Sequence, residues 1–185
     1  MERKLKLNIG CGNKLLTGFH NIDFYVKNIG VRQYDLRKKL PYANSEVDEI
    51  ICNQVLEHMS FLEEKKVFDE FYRILDKNGK LQFEVPDFDF IVDKWKEAKD
   101  DWIKFYELKD DDYFGHSLDM NHKHSVLAAH IFGNQSTEGN FHKNYYTEKK
   151  IYRILEHYNY KNIVVERFYH EKFTDLQCLR GIGYK

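Results

Sequence analysis

Proline is nearly missing from this chain: Pro41 and Pro86 are the two in 185 residues, and glycine reaches only ten. That scarcity excludes collagen-like repeats and, with 42% hydrophobic residues, a wholly disordered chain. Cysteine is also sparse. Cys11, Cys52 and Cys178 are odd in number and far apart, so they form neither a disulfide framework nor a CxxC zinc ribbon. A reducing, cytoplasmic compartment is the expected setting. No run of about 18 apolar residues offers a bilayer span. The basic start Met-Glu-Arg-Lys-Leu-Lys-Leu leads into no apolar signal segment. Charge of one sign is missing too: 29 Lys and Arg oppose 30 Asp and Glu, a net of −1. No overall field therefore favours nucleic acid or an anionic membrane.

What is present is a globular composition, with 32% charged and 16% aromatic residues. At roughly 100–200 residues per domain, the chain is expected to form one domain over 1–185. A chain of this length buries roughly 70% of its unfolded surface and needs no covalent staples.

Leu5, Leu7 and Ile9 alternate and then meet Gly10-Cys11-Gly12, the pattern of a buried strand entering a tight turn. Short strands are predicted over His20–Phe24, Val31–Asp35 and Val47–Cys52. Phe68, Phe71, Tyr72 and Leu75 fall on one face of a predicted helix over Phe61–Asp76, which Asn78-Gly79 would stop. A strand is predicted over Lys80–Val85, closed by Pro86-Asp87. Residues 88–143 read as a helical insertion, with Ile91, Trp95, Ala98 and Trp102 sharing one helical face and Gly133–Asn140 as a flexible loop. Thr147 can cap a helix whose Ile151, Ile154, Leu155 and Tyr158 face inward. Strands at Ile163–Phe168 and Leu176–Arg180 follow. The alternation predicts an α/β fold with a mostly parallel sheet and helices on both faces. Such sheets bind ligands at the carboxyl ends of their strands.

Three features stand at such ends. The Gly10–Gly12 turn follows the first strand, where glycine lets a ligand approach bare backbone. Asp23 closes the second strand, where a carboxylate can accept both hydroxyls of a ribose. Asp35 closes the third, within reach of an adenine amino group.

Leu7-Asn8-Ile9-Gly10-Cys11-Gly12-Asn13 followed by Gly18-Phe19-His20-Asn21-Ile22-Asp23 resembles the opening of class I S-adenosylmethionine (SAM)-dependent methyltransferases, in a branch with a short first loop. Tyr34-Asp35-Leu36, Leu40-Pro41-Tyr42, Val55-Leu56-Glu57-His58 and Leu81–Pro86 continue the resemblance. It implies a Rossmann-like fold, a seven-stranded mostly parallel sheet with an antiparallel last strand and a cap after the fifth strand. It implies SAM as cofactor and S-adenosylhomocysteine as product. By position, Gly10, Cys11 and Gly12 would pass beneath the methionine part, with Asn8 at the end of the first strand. Asp23 would bind the ribose, Asp35 and Leu36 would flank the adenine, Asn53 would close over the methionine end, and His58 would order the loop beside the cofactor. The sequence departs from the wider superfamily in having Asn at position 8, Lys at position 14 where a third glycine would stand, and a gap from Gly10 to Asp23 short for a full first helix.

SAM activates its own methyl group, so the protein chiefly orients a nucleophile and supplies a base if the nucleophile arrives protonated. The fourth strand ends in Asn53-Gln54-Val55-Leu56, not Asn/Asp-Pro-Pro-aromatic, which argues against adenine, cytosine or glutamine amino groups. No Pro-Cys pair exists, which argues against cytosine C5. The expected acceptor is an oxygen or nitrogen of a small molecule or glycan-type compound. Candidate bases are His142, then His124, then Asp87. Gln54-Val55-Leu56-Glu57-His58 also resembles the Glu-x-x-Glu-His turn of metal-assisted O-methyltransferases. Glu57, His58 and insertion histidines would then hold a divalent ion, but Gln at the first acid argues against it, so no metal ligand is assigned. A catalytically silent SAM-binding or interaction module is the alternative reading. A nicotinamide dehydrogenase is disfavoured by the missing third glycine.

Overall fold

A computed structural model describes residues 5–98, 129–171 and 176–185. Seven strands form one sheet: β1 (Lys6–Ile9), β2 (His20–Asp23), β3 (Val31–Gln33), β4 (Val47–Asn53), β5 (Leu75–Pro86), β6 (Lys161–Tyr169) and β7 (Gln177–Tyr184). Their spatial order is β3-β2-β1-β4-β5-β7-β6. β7 runs antiparallel to both β5 and β6, and the pairs among β1 to β5 are parallel. This is the expected Rossmann-like arrangement with its antiparallel last strand. Helices α1 (Phe61–Ile74), α2 (Phe88–Ala98) and α3 (Glu148–His157) pack with the sheet, and residues 129–132 are also helical. No helix of the described residues is long and apolar enough to cross a membrane.

One face of the sheet carries the main core. Leu7, Ile9, Ile50, Cys52, Leu81 and Phe83 alternate along β1, β4 and β5 and pack with Val67, Phe68, Phe71 and Ile74 of α1 and Ile151 and Leu155 of α3. Phe68 meets Phe83 edge-on at 5.6 Å and stacks on Tyr158 at 6.1 Å. Gly181 in β7 admits α3: an added Cβ would lie 2.7 Å from Ile151.

α1 starts at a capping box, Ser60 accepting from the Glu63 amide while the Glu63 carboxylate accepts from the Ser60 amide. It stops at Ile74, not beyond, and Leu75 turns straight into β5. The expected Asn78-Gly79 stop is instead an irregularity inside β5, where Asn78, not Gly79, takes a positive φ of 66°. The reason is tertiary. The last carbonyls of α1 are already satisfied, Arg73 O by the Ser45 amide and Ile74 O by the Glu46 amide, while Lys185 Nζ donates to Tyr72 O. Thr147 caps α3 as expected, its hydroxyl accepting from the Lys150 amide. In α2, Ile91 is buried but Trp95 is exposed, so the expected single apolar face is not formed there. Trp102 lies outside the described residues.

Among the described residues, the opposite face is covered by helix only at one end, by α2. No helix is described in the connections after β1, β2 or β3. Charged side chains occupy the positions that such helices would cover. Glu49 lies between Lys6 at 2.8 Å and Lys80 at 3.4 Å. Arg180 lies between Glu84 at 2.8 Å and Glu166 at 2.7 Å. A small cluster of Ile91, Leu176 and Cys178 packs at one end of this face.

Candidate functional site

The first connection, too short for a helix, is held by amides. Asn8 alternates away from Leu7 and Ile9, and its Nδ2 donates to Lys14 O at 2.9 Å and Asn21 Oδ1 at 2.8 Å. Asn21 Oδ1 also accepts from the Leu16 amide, and its Nδ2 donates to Leu16 O. Two buried side chains thus satisfy loop backbone that a helix would have satisfied itself. Asn8 lies outside the cleft described below and serves this anchoring.

The turn after β1 bends through positive φ at both glycines, 65° at Gly10 and 51° at Gly12. A Cβ at Gly10 would lie 2.0 Å from Val55, so the loop after β4 packs directly on it. A Cβ at Gly12 would meet nothing within 4 Å. Cys11 between them turns inward. Its amide donates to Ile22 O, and burial pushes its thiol up to about 11. The structure therefore gives Cys11 a packing role.

The cleft itself encloses about 200 Å³ at the ends of β1, β2 and β4. Of the expected residues, it is lined by Gly10, Asp23, Asp35, Leu36 and His58. Asp23 Oδ2 accepts the Gly12 amide at 2.9 Å, and Oδ1 accepts those of Tyr25 at 2.8 Å and Val26 at 3.0 Å. The carboxylate thus joins the glycine turn to the start of the next loop. Asp35 is clasped by Arg37, with Nε at 2.8 Å from Oδ1 and a second nitrogen at 3.1 Å from Oδ2. The guanidinium holds the Asp35 carboxyl below its usual range. Arg37 also lies over the Phe24 ring at 5.3 Å.

This wall is braced from α1. Glu70 accepts the Leu40 amide at 2.8 Å, while Arg73 donates to Leu40 O, Tyr42 O and Glu70. The residues that the sequence reading did not place are Tyr25, Tyr34, Arg37, Leu40, Gln54, Met59, Glu138, Gly139, Asn140 and Lys143, all lining. Only Gln54 carries a local signature: it follows β4 directly and holds φ 55°, strained for a residue with a side chain. The expected flexible loop contains a 3-10 turn at Glu138–Asn140, and Gly139 lies against Tyr25, leaving 2.4 Å for an added Cβ.

Asn53 ends β4 outside the lining, with its Oδ1 buried and lacking a hydrogen-bond partner. Asp87 is fully buried and also away from the cleft. Its Oδ1 accepts from the Asp89 and Phe90 amides at the start of α2, and its Oδ2 accepts from Arg167 at 2.9 Å. It serves as a helix cap and ion pair. His124 lies outside the described residues.

Behind the cleft, the turn at Leu56–His58 is tied to the chain after the loop, because Glu57 O accepts the amides of Lys143 and Asn144. That tie brings His142 beside His58, with ring centroids 5.1 Å apart. His58 is lowered by burial, and His142 is lowered to about 4 by burial and by His58. Burial raises the Glu57 carboxyl to about 8.

Residues 14–83 match the family model described as a methyltransferase domain. No curated protein sequence matches the chain significantly. Among solved structures, a SAM-dependent methyltransferase from Methanosarcina mazei superposes with TM-score 0.64 at 11% identity, covering 100% of this chain and 94% of that one. One from Archaeoglobus fulgidus gives 0.59 at 13% identity, covering 98% and 86%. The 1,6-didemethyltoxoflavin-N1-methyltransferase of Burkholderia thailandensis, with its substrate and S-adenosylhomocysteine bound, gives 0.61 at 13%, covering 98% and 70%. The fold is the Rossmann-like class I methyltransferase fold. The domain match spans residues 14–83, and these neighbours share the fold.

Proposed function

We propose that the chain transfers a methyl group from SAM to an oxygen or nitrogen of a small-molecule or sugar-containing acceptor, by in-line displacement. One observation carries this reading: Gly10 and Asp23 line one cleft, and the Asp23 carboxylate there also accepts the Gly12 amide. SAM, when bound, supplies a methyl already activated by the sulfonium. The chain's residues fit the group. Asp23 Oδ2 accepts one backbone bond and keeps acceptor capacity for a sugar hydroxyl. Leu36, Leu40 and Tyr34 offer a largely apolar wall to a base.

The loop at Glu138–Asn140 and Lys143 roof the cleft, which favours exclusion of water around the reacting atoms. His58 borders the cleft and His142 stands behind it. Burial lowers the His58 imidazole, so at the cleft edge it offers a neutral lone pair to an acceptor hydroxyl, with His142 packed against it. A small-molecule acceptor agrees with the Burkholderia neighbour, which binds one.

Calorimetric titration with S-adenosylhomocysteine tests the cofactor half, and transfer of labelled methyl to fractionated small molecules tests the acceptor half. Absence of binding at millimolar ligand overturns the reading. Binding without transfer to any fraction supports the silent-module alternative.

A further inference from the structure

We propose that Glu57, His58 and His142 form a binding site for one divalent first-row transition ion of the zinc type. Their donor atoms all lie within 4.8 Å of one another. Tautomers are fixed by backbone. His58 Nδ1 lies 3.0 Å from Phe141 O, and His142 Nδ1 lies 3.3 Å from His130 O. A carbonyl only accepts, so each Nδ1 carries the proton and each Nε2 presents a lone pair. An imidazole whose far nitrogen is anchored on a carbonyl is the arrangement that orients metal-binding histidines.

The third donor is an independent observation. Glu57 is 2% exposed, and its Oε2 is buried without a hydrogen-bond partner. Burying such an oxygen without a partner is costly, and a ligand would remove that cost. Its Oε1 lies 4.0 Å from His58 Nε2. Bonds of about 2.0–2.2 Å would draw the donors to roughly 3 Å apart. That closure needs an ångström or so of side-chain rotation. The Glu57 carbonyl already ties this turn to residues 143 and 144.

Two imidazoles and one carboxylate suit zinc or iron better than magnesium, which prefers an all-oxygen shell with several waters. Three protein donors leave coordination positions open, as in catalytic metal sites. His58 also lines the cofactor cleft, so the site lies at the cleft's edge. If the chain acts as proposed above, an acceptor oxygen would complete the shell there, and this role alone rests on that reading. Ion and proton compete for the same Nε2 lone pairs, so the metal would replace the imidazoles as the group that activates a hydroxyl.

The test uses the full chain stripped by chelator dialysis. Zn²⁺ is titrated by calorimetry, and Co²⁺ is followed by visible d–d absorbance. The expected result is one ion per chain with micromolar or tighter affinity. His58→Gln and His142→Gln should each weaken it by about 100-fold, at least the upper range of outer-shell losses. His157→Ala, on the exposed end of α3, should leave it unchanged. Circular dichroism of each variant checks folding, and a Zn²⁺-dependent rise in melting temperature gives a second readout. No single-site binding below 100 µM, stated as about 10⁻⁴ M, or binding retained in the His58→Gln/His142→Gln double variant, overturns the site. S-adenosylhomocysteine binding to the stripped chain is scored separately, so failure of the metal site and failure of the methyltransferase reading remain distinct.

Discussion

Gly10→Ala and Gly12→Ala are the same chemical change two residues apart, and the structure separates their costs. Both glycines sit at positive φ, 65° and 51°. An alanine there is strained by about 1–2 kcal/mol. At Gly12 the new methyl meets open space, so strain is the whole penalty. At Gly10 it would lie 2.0 Å from Val55 Cγ2, against an ordinary contact of about 3.5–4.0 Å. Relieving that overlap adds about 1–3 kcal/mol of overpacking. Gly12→Ala should therefore lose about 1–2 kcal/mol and Gly10→Ala about 2–5 kcal/mol. In a chain of this length that is a melting drop of about 2–8 °C for the first and 4–20 °C for the second. Val55→Ala should restore the overpacking part of the Gly10→Ala loss, giving a coupling of about 1–3 kcal/mol in a double-mutant cycle. Urea denaturation of the four proteins measures it. If Gly10→Ala costs no more than Gly12→Ala, or if the double variant is additive, Val55 does not rest on Gly10 and the cleft is built otherwise.

Three further outcomes follow from the geometry. Asp23→Ala removes the acceptor for the Gly12, Tyr25 and Val26 amides and should weaken S-adenosylhomocysteine binding about 10–100-fold by calorimetry, the value of a hydrogen bond to a charged group; unchanged affinity would put the sugar elsewhere. Arg37 holds the Asp35 carboxyl below its unfolded value, so this pair's stability is present above about pH 4 and is lost as pH falls through the lower folded value. Asp35→Asn should flatten the acid limb of a urea-midpoint profile between about pH 2 and 5, and an unaltered limb would refute the pairing. Arg180→Met leaves Glu84 and Glu166 facing each other and should destabilise by about 1–3 kcal/mol, while Glu166→Gln should cost less than about 1 kcal/mol. Equal losses in denaturant melts would contradict the central place of Arg180.

Much of the sheet was legible because apolar alternation at Leu7 and Ile9, and at Phe83 and Val85, is a local signal. The glycine turn and Asp23 were legible for the same reason: each stands directly after a strand. What escaped was settled by distant partners. The end of α1 depends on the amides of Ser45 and Glu46, which no pattern within residues 61–79 announces. Asn8 resembles a cofactor contact in sequence, yet it pairs with Asn21 across the sheet. Asp87 reads as a strand-end base but is consumed by the start of α2 and by Arg167, 80 positions away. The roof over the cleft comes from residues 138–143, whose composition gives no hint that Tyr25 packs beneath Gly139.

The sheet in this protein has two unlike sides, one oily and one ionic. Oily contacts weaken on cooling, whereas exposed ionic ones are muted by added electrolyte. Cold and brine should thus loosen opposite flanks of the same seven strands. The strand ends that frame the cleft would feel both, since Ile9 belongs to the first flank while Glu84, paired beside Asn53, belongs to the second.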